Sequence, residues 1–227
     1  SNGVLAADVN VNQGDISNSQ SRFKEVANTK GQTWGLAEID KHLLLANEDG
    51  GSIIKGYDAN LLYDGLGTWL YEPLAKDKIV AGTYTGLQLL GSENEGFKVK
   101  GTLSALNEPL RFVVVDDKLN CVWASHPYRG VYKLDLDVTK QKIVKTTLLT
   151  KEDGLPFTLY NYVFKVKNKV VVATYNGIYE YNTSKKRFYP STLFAPIFNK
   201  LSLQLLKEDN DGNVWYVNEK RVGVVDF

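Results

Sequence analysis

The sequence predicts an all-β protein, a β-propeller built from four-stranded antiparallel blades, on three observations. A glycine followed by a run of alternating apolar residues recurs at intervals of 35 to 48 residues. A second short apolar strand precedes all but the first recurrence, and helical patterns are nearly absent. One propeller blade takes about 40–50 residues, so the interval matches a blade. A β-sandwich could supply as many strands, but it would not repeat one four-part unit along the chain.

The first strand of each unit is a compact run of β-branched and aromatic residues, as at 111–115 (RFVVV) and 162–166 (YVFKV). Such residues fit a pleated, half-buried surface, and a run this short favours a strand over a helix. We expect these first strands to lie innermost, around the propeller axis.

The second strand of each unit ends in a small polar residue. In four of five units, Ala or Gly stands just before that residue, which allows neighbouring sheets to approach closely. Turns containing Asp or Asn precede the strands, as tight hairpins require. The second strands are predicted at 42–47, 79–83, 121–125, 170–174 and 214–218.

The third strand follows the recurring glycine, and a fourth, less regular strand comes after it. Examples of the fourth strand are 97–100 and 143–145. Short connections between successive strands then give an antiparallel sheet of four strands per unit. The recurring glycines are Gly3, Gly51, Gly86, Gly130, Gly177 and Gly223.

The two ends of the chain determine how the ring could close. Only four units are complete, and both ends supply a third strand. A ring usually closes by completing one blade from both termini, which here would leave one third strand in excess. We therefore expect residues 1–227 to form a propeller segment of about five blades, the terminal ones incomplete, in a larger ring of about seven blades. A five-bladed closure with one displaced terminal strand is the alternative.

Composition excludes several classes of function. The chain has 227 residues, 27 basic and 26 acidic, with a net charge of +1, so we expect it to bind no nucleic acid. The single cysteine, Cys121, cannot form an internal disulfide. The chain contains no methionine, and we expect an excised piece of a longer protein. No run approaches the roughly 20 apolar residues that span a bilayer, so we expect membrane attachment only through a helix downstream.

The sequence offers little for catalysis or metal binding. The histidines, His42 and His126, have no second ligand at zinc spacing. No nucleophile elbow or phosphate-binding glycine loop is present. Residues 209–212 (DNDG) begin like a calcium loop, but Lys220 stands where the bidentate glutamate belongs, which favours a hairpin turn. We predict that the protein is not an enzyme and has no catalytic residue, metal or cofactor.

Candidate ligand-binding residues lie on the loops that join second to third strands. In a propeller these loops gather on one face around the central channel, and their aromatic faces and polar tips suit a sugar or a peptide. Arg129 and His126 could also bind a carboxylate, such as that of a uronic acid. The alternative is that the loop aromatics only pack blade on blade. The candidates are Tyr84, His126, Tyr128, Arg129, Tyr175, Asn176 and Lys220.

Residues 205–215 (LLKEDNDGNVW) contain the pattern EDxxGNxW, and residues 151–156 (KEDGLP) contain DGLP. These two motifs resemble the signatures of the two-component-regulator propeller repeats of bacterial membrane regulators. Residues 63–66 (YDGL) are a weaker match to the second element, and 162–189 also resemble the repeat. The resemblance extends over essentially the whole chain, although the units between 34 and 103 lack the Gly-Asn-x-Trp turn.

The resemblance implies an extracytoplasmic sensor. Such propellers are followed by an immunoglobulin-like domain, a membrane helix and a histidine kinase or helix-turn-helix output domain, and several sense polysaccharide-derived ligands. The implied function is a periplasmic ligand-sensing domain of a transmembrane transcriptional or two-component regulator, with an oligosaccharide or other small ligand. We expect a homodimer. The alternatives are a protein-interaction scaffold without a small ligand, and a propeller lyase or glycosidase, which would need converging carboxylates or a metal.

Overall fold

The computed structural model describes residues 3–8, 22–104, 106–137, 139–198 and 200–227 of the chain. These residues form six separate sheets, and all strands that pair within a sheet are antiparallel and follow chain order. Helical structure in the described part is limited to α1 (Ala195–Phe198) and a 3₁₀ turn, Lys151–Asp153. The all-β prediction is confirmed.

Four of the sheets have four strands each. The first contains β3 (Thr33–Ile39), β4 (His42–Asn47), β5 (Gly50–Lys55) and β6 (Asp58–Asp64). The second contains β7 (Thr68–Ala75), β8 (Lys78–Thr83), β9 (Gly86–Glu93) and β10 (Gly96–Ser104). The third contains β11 (Phe112–Asp116), β12 (Cys121–His126), β13 (Gly130–Asp137) and β14 (Lys142–Leu149). The fourth contains β15 (Tyr162–Val166), β16 (Lys169–Thr174), β17 (Gly177–Asn182) and β18 (Arg187–Pro190).

The two terminal sheets are incomplete. The fifth sheet has three strands, which are β19 (Leu203–Glu208), β20 (Val214–Asn218) and β21 (Arg221–Val225). The N-terminal pair has two, which are β1 (Leu5–Ala6) and β2 (Lys24–Glu25). That residues 1–227 form one propeller segment with incomplete terminal blades stays a prediction.

The first strand of each of the five larger sheets lies at the centre of the molecule. Strands β3, β7, β11, β15 and β19 together line one central cavity of about 460 Å³. Sheets that radiate from a shared central channel make a β-propeller, so the predicted fold class is confirmed. Membership of a larger ring of about seven blades stays a prediction.

The hydrophobic core is divided into clusters between consecutive sheets. The cluster between the third and fourth sheets includes Trp123, Leu155 and Phe188, and similar clusters join the first to the second, the second to the third and the fourth to the fifth. A smaller cluster around Val26 and Leu45 packs the N-terminal pair on the first sheet. Within the described residues, no cluster joins the fifth sheet to the first.

The hairpin turn between the first two strands of the fifth sheet is stabilised by hydrogen bonds to one aspartate. The Oδ1 atom of Asp209 accepts hydrogen bonds from the Asp211 and Asn213 amides, at 3.0 and 2.9 Å, while its Oδ2 accepts from Trp215 Nε1 at 2.8 Å. These bonds, the Trp215 bond above all, lower the pKa of Asp209. The 209–212 segment is therefore built as the hairpin turn that the sequence favoured over a calcium loop.

The register of the fifth sheet differs from the glycine pattern in the sequence. Gly130 and Gly177 begin their strands opposite His126 and Thr174, with φ angles of 122° and 92°. In the fifth sheet the equivalent place, opposite Asn218, is taken by Arg221. The expected recurring glycine, Gly223, lies two residues further on, where a Cβ would overlap the ring of Tyr216.

Candidate functional site

Two tryptophans project from bulges in the inner strands. The register of the first sheet shifts between Thr33 and Gly35, and that of the second between Thr68 and Leu70, so Trp34 and Trp69 are the extra residues. A β-bulge re-aims a side chain and is common beside functional sites. Both tryptophans line the central channel.

Aromatic side chains from the first two sheets pack together at one end of the channel. The rings of Trp34 and Trp69 lie 4.6 Å apart, and those of Trp69 and Tyr84 lie 4.5 Å apart. The Nε1 atom of Trp34 donates a hydrogen bond of 2.8 Å to the Tyr84 hydroxyl. This bond joins residues 50 positions apart in the chain and fixes the loop between β8 and β9 against the inner strand of the first sheet.

The third and fourth sheets complete this end of the channel. The Arg111 guanidinium lies over the Trp69 ring, 4.9 Å from its centroid, and Phe112 packs on Tyr162 with ring centroids 4.9 Å apart. Burial raises the pKa of Tyr162, and the positive charge of Arg111 partly opposes that rise. We call this set the aromatic mouth, which comprises Trp34, Trp69, Tyr84, Arg111, Phe112 and Tyr162.

One buried polar atom at the aromatic mouth, Trp69 Nε1, has no hydrogen-bond partner among the described residues. Buried donors and acceptors are normally paired, because an unpaired one costs about 1–3 kcal/mol. A polar ligand group that reached this atom would remove that cost.

A carboxyl group lies further along the channel wall. Burial raises the pKa of Glu72 to about 7, against smaller lowering effects of the Lys165 charge and a hydrogen bond from the Val115 backbone. The Nζ atom of Lys165 donates to the Val115 carbonyl and to Asp117 Oδ2, both at 3.2 Å. The channel wall therefore carries a carboxyl group, Glu72, that titrates near neutral pH and lies between the second and third sheets.

His126 and Arg129 bind a carboxylate of the chain itself. The Nε2 atom of His126 lies 2.8 Å from Glu108 Oε2, and Arg129 donates to Glu108 Oε1 at 2.6 Å. His126 Nδ1 accepts the Tyr128 amide at 3.0 Å, so Nε2 is the atom that carries the proton toward Glu108. We call these residues the Glu108 cluster. The sequence predicted that His126 and Arg129 bind a carboxylate, and in the structure both bind the Glu108 side chain.

The other predicted residues fall in separate places on the same loop face. Tyr84 belongs to the aromatic mouth. Tyr175 packs edge-on against Tyr160 at 4.9 Å and acts electrostatically on Tyr162, so it lies beside that mouth. Tyr128 is exposed and contacts His126. Asn176 donates its amide to Thr174 Oγ1, and Lys220 is an exposed turn residue between β20 and β21.

The sequence interpretation missed most of the aromatic mouth. It selected only Tyr84, because it considered loops between second and third strands and left the starts of the inner strands out. A signal was present in the Thr-Trp pairs at 33–34 and 68–69, which are 35 residues apart, the same interval as that between Gly51 and Gly86. Equal spacing places both tryptophans at one position of the repeat.

The described residues contain neither a metal-binding cluster nor a membrane-spanning helix. No group of three or more His, Cys, Asp or Glu side chains in that part of the chain could hold a metal ion. No helix there is both long and apolar enough to cross a bilayer.

Comparison with solved structures finds two bacterial extracellular domains and a lyase with a similar fold. One, attributed to a hybrid two component system of Bacteroides thetaiotaomicron, is 17% identical, with a TM-score of 0.64 over 85% of this chain and 26% of that domain. A second such domain from the same organism is 12% identical, with a TM-score of 0.61 over 99% and 33%. Virginiamycin B lyase of Staphylococcus aureus is 9% identical, with a TM-score of 0.62 over 98% and 74%.

At these identities the likeness establishes the propeller fold alone. The chain spans about a quarter to a third of the length of the two extracellular domains. No protein-family profile matches the chain, and no curated protein sequence matches it.

Proposed function

We propose that this chain is a ligand-sensing part of the extracytoplasmic region of a bacterial transmembrane transcriptional or two-component regulator, and that it is not itself an enzyme. The aromatic mouth is the observation that carries the proposal. Its side chains come from four different sheets, so a ligand seated there would contact all four. Two of the similar structures are extracellular domains of two-component systems, which supports the same reading.

The proposed mechanism is differential binding. A ligand can shift an equilibrium between two arrangements only if it binds one of them more tightly. Contacts with Trp34, Trp69, Phe112 and Tyr162 would favour one spacing of the four sheets. In a homodimeric receptor on the periplasmic side of the membrane, that change would pass to the partner subunit and to the output domain.

A thermal-shift screen tests the proposal. The chain is mixed with panels of oligosaccharides, short peptides and amino acids, while tryptophan fluorescence is recorded. A ligand at about 100 times its Kd stabilises the folded state by about 2.7 kcal/mol, which is a rise in Tm of roughly 5–10 °C for a domain of this size.

Variants locate the binding. We expect Trp34→Ala and Trp69→Ala to abolish the shift, while Trp215→Phe, far from the mouth, keeps it. If no small molecule raises Tm at millimolar concentration, the sensor proposal is wrong.

A protein-interaction scaffold is the second candidate. The outer face of the fifth sheet exposes Leu205, Trp215, Val222 and Val224 side by side. Contiguous exposed apolar residues commonly mark contact surfaces. Partner binding that is lost in Trp215→Ser, without any small-molecule response, would favour this candidate.

A further inference from the structure

The Arg111 side chain is held at the aromatic mouth without a negatively charged partner. Its guanidinium lies over Trp69 at 4.9 Å and lies 6.0 Å from the rings of both Trp34 and Phe112. Of the carboxylates in the described residues, none lies within ion-pair distance of it. Three aromatic rings thus surround a cation that no described carboxylate pairs.

Other cations on the sheets around the channel form ion pairs with carboxylates of the chain. Arg129 lies 2.6 Å from Glu108, Lys165 lies 3.2 Å from Asp117, and Lys167 lies 3.6 Å from Glu208. The contrast with Arg129 is informative, because both arginines come from the third sheet or its loops. Arg129 is neutralised by Glu108. Arg111 has no such partner among the described residues, so it can bind the carboxylate of a ligand.

The shape of the mouth limits the ligand. The planar guanidinium of Arg111 carries N–H donors whose spacing matches the two oxygens of a carboxylate. The aromatic rings beside it suit the flat face of a ligand ring. The unpaired Trp69 Nε1 favours a ring that carries hydroxyl groups over an apolar one. A cavity of about 460 Å³ could hold one or two such rings.

We propose that the aromatic mouth binds a sugar acid, a uronate whose carboxylate pairs with Arg111 while its ring packs against the aromatic rings that line the mouth. The inference rests on the proposed sensor function and names its ligand class. It also transfers the carboxylate-binding role from Arg129 and His126, which Glu108 satisfies, to Arg111.

The test compares acids with their own methyl esters. Disaccharides containing galacturonate, glucuronate or iduronate, and the same disaccharides methyl-esterified, are titrated into the chain by calorimetry and tryptophan fluorescence. Esterification keeps the ring and removes the charge. We expect at least one acid to bind about tenfold or more tightly than its ester, and added salt to reduce the difference.

Arginine variants assign the charge. We expect Arg111→Gln to abolish the preference for the acid, and Arg111→Lys, which keeps the charge without the bidentate edge, to retain part of it. The matched control is Arg129→Gln, which should leave the preference unchanged. Circular dichroism and thermal melts confirm that each variant is folded.

The outcomes separate the two proposals. Equal binding of acid and ester at the mouth, or an acid preference that survives Arg111→Gln, overturns the uronate inference and leaves the sensor function standing. Tighter binding of a sugar phosphate than of every uronate also overturns it. If neither these sugars nor any other small molecule binds, both proposals fail.

Discussion

The third and fifth sheets contain the same local structure in two different surroundings. In the third, Trp123 Nε1 donates to Asp116 Oδ2 at 3.1 Å, as Trp215 does to Asp209 in the fifth. Trp123 is 2% exposed, because Tyr181 and other residues of the fourth sheet cover it, whereas Trp215 is 44% exposed. Each tryptophan occupies the same place in its second strand.

The comparison separates what a blade makes by itself from what its neighbour supplies. The aspartate, the turn and the indole hydrogen bond form in both sheets, so they depend on local sequence alone. Burial of the indole requires a following sheet with aromatic residues on its third and fourth strands, such as Tyr181 and Phe188. The outer face of the fifth sheet therefore has the apolar composition of an interior surface, but no further sheet among the described residues packs on it.

Substitution of the two tryptophans should give the largest difference. Trp123→Ala removes a fully buried ring, and we expect the free energy of unfolding to fall by about 3–5 kcal/mol. Trp215→Ala removes a half-exposed ring, and we expect a loss of about 1 kcal/mol or less. Urea denaturation followed by circular dichroism measures both.

Similar losses in the two variants would contradict the comparison, since they would mean that Trp215 is as well covered in solution as Trp123. Trp215→Phe serves as a control, because it keeps an apolar ring and removes only the hydrogen bond to Asp209. It should cost no more than Trp215→Ala does, about 0.5–1 kcal/mol.

The start of the third strand gives the next test. Gly130 has a φ of 122°, and a Cβ there would overlap the carbonyl oxygen of Leu149 on β14. Among the described residues the fifth sheet has only three strands, and Arg221 occupies the same register position. We expect Gly130→Ala to lower the free energy of unfolding by about 2–3 kcal/mol and Arg221→Ala to change it by less than about 0.5 kcal/mol.

Gly56→Ala is the control for backbone strain. Gly56 also has a positive φ, 63°, but open space surrounds it, so its substitution reports the cost of the conformation alone. If Gly130→Ala proves no more costly than Gly56→Ala in thermal or urea denaturation, the fourth strand does not restrict that position.

A pH series should give the smallest effect and tests the contact between the second and third sheets. Burial raises the pKa of Glu72 from 4.5 to about 7 in the folded chain. Its contribution is therefore fully present below about pH 4.5 and is lost as pH rises toward about 7. Because the side chain is only half-buried, we expect a decrease on the order of 1–2 kcal/mol across that window.

The measurement is the difference between wild type and Glu72→Gln in urea denaturation at each pH, since other carboxyl groups titrate in both proteins. The glutamine variant should lack this part of the decrease. Parallel curves for the two proteins from pH 4 to pH 8 would mean that Glu72 is hydrated and that the sheets are less closely packed.

The repeat could be predicted because its determinants are local. Strand runs, turns at Asp209 and the glycine at Gly177 each depend on a few adjacent residues, and the structure confirms them. In the fifth sheet the glycine pattern was misleading. Gly223 lies inside the third strand, where a side chain would overlap the Tyr216 ring, and not at the start of that strand.

The candidate site depends on contacts that the sequence pattern does not contain. The bulges that project Trp34 and Trp69 leave the strand composition unchanged, so alternation alone cannot reveal them. The pairing of Glu108 with His126 and Arg129 joins residues 18 and 21 positions apart in the chain. Only the folded arrangement determines that Arg129 pairs with Glu108, while no described carboxylate lies within ion-pair distance of Arg111.

The division of the core has an evolutionary consequence. Each large cluster lies between two consecutive sheets, so duplicating or deleting one complete unit would change the number of such boundaries and not their kind. Changes in blade number can therefore be tolerated where changes within a blade are not. The aromatic mouth, which draws on four successive units, is the part of the molecule that such a change would disrupt.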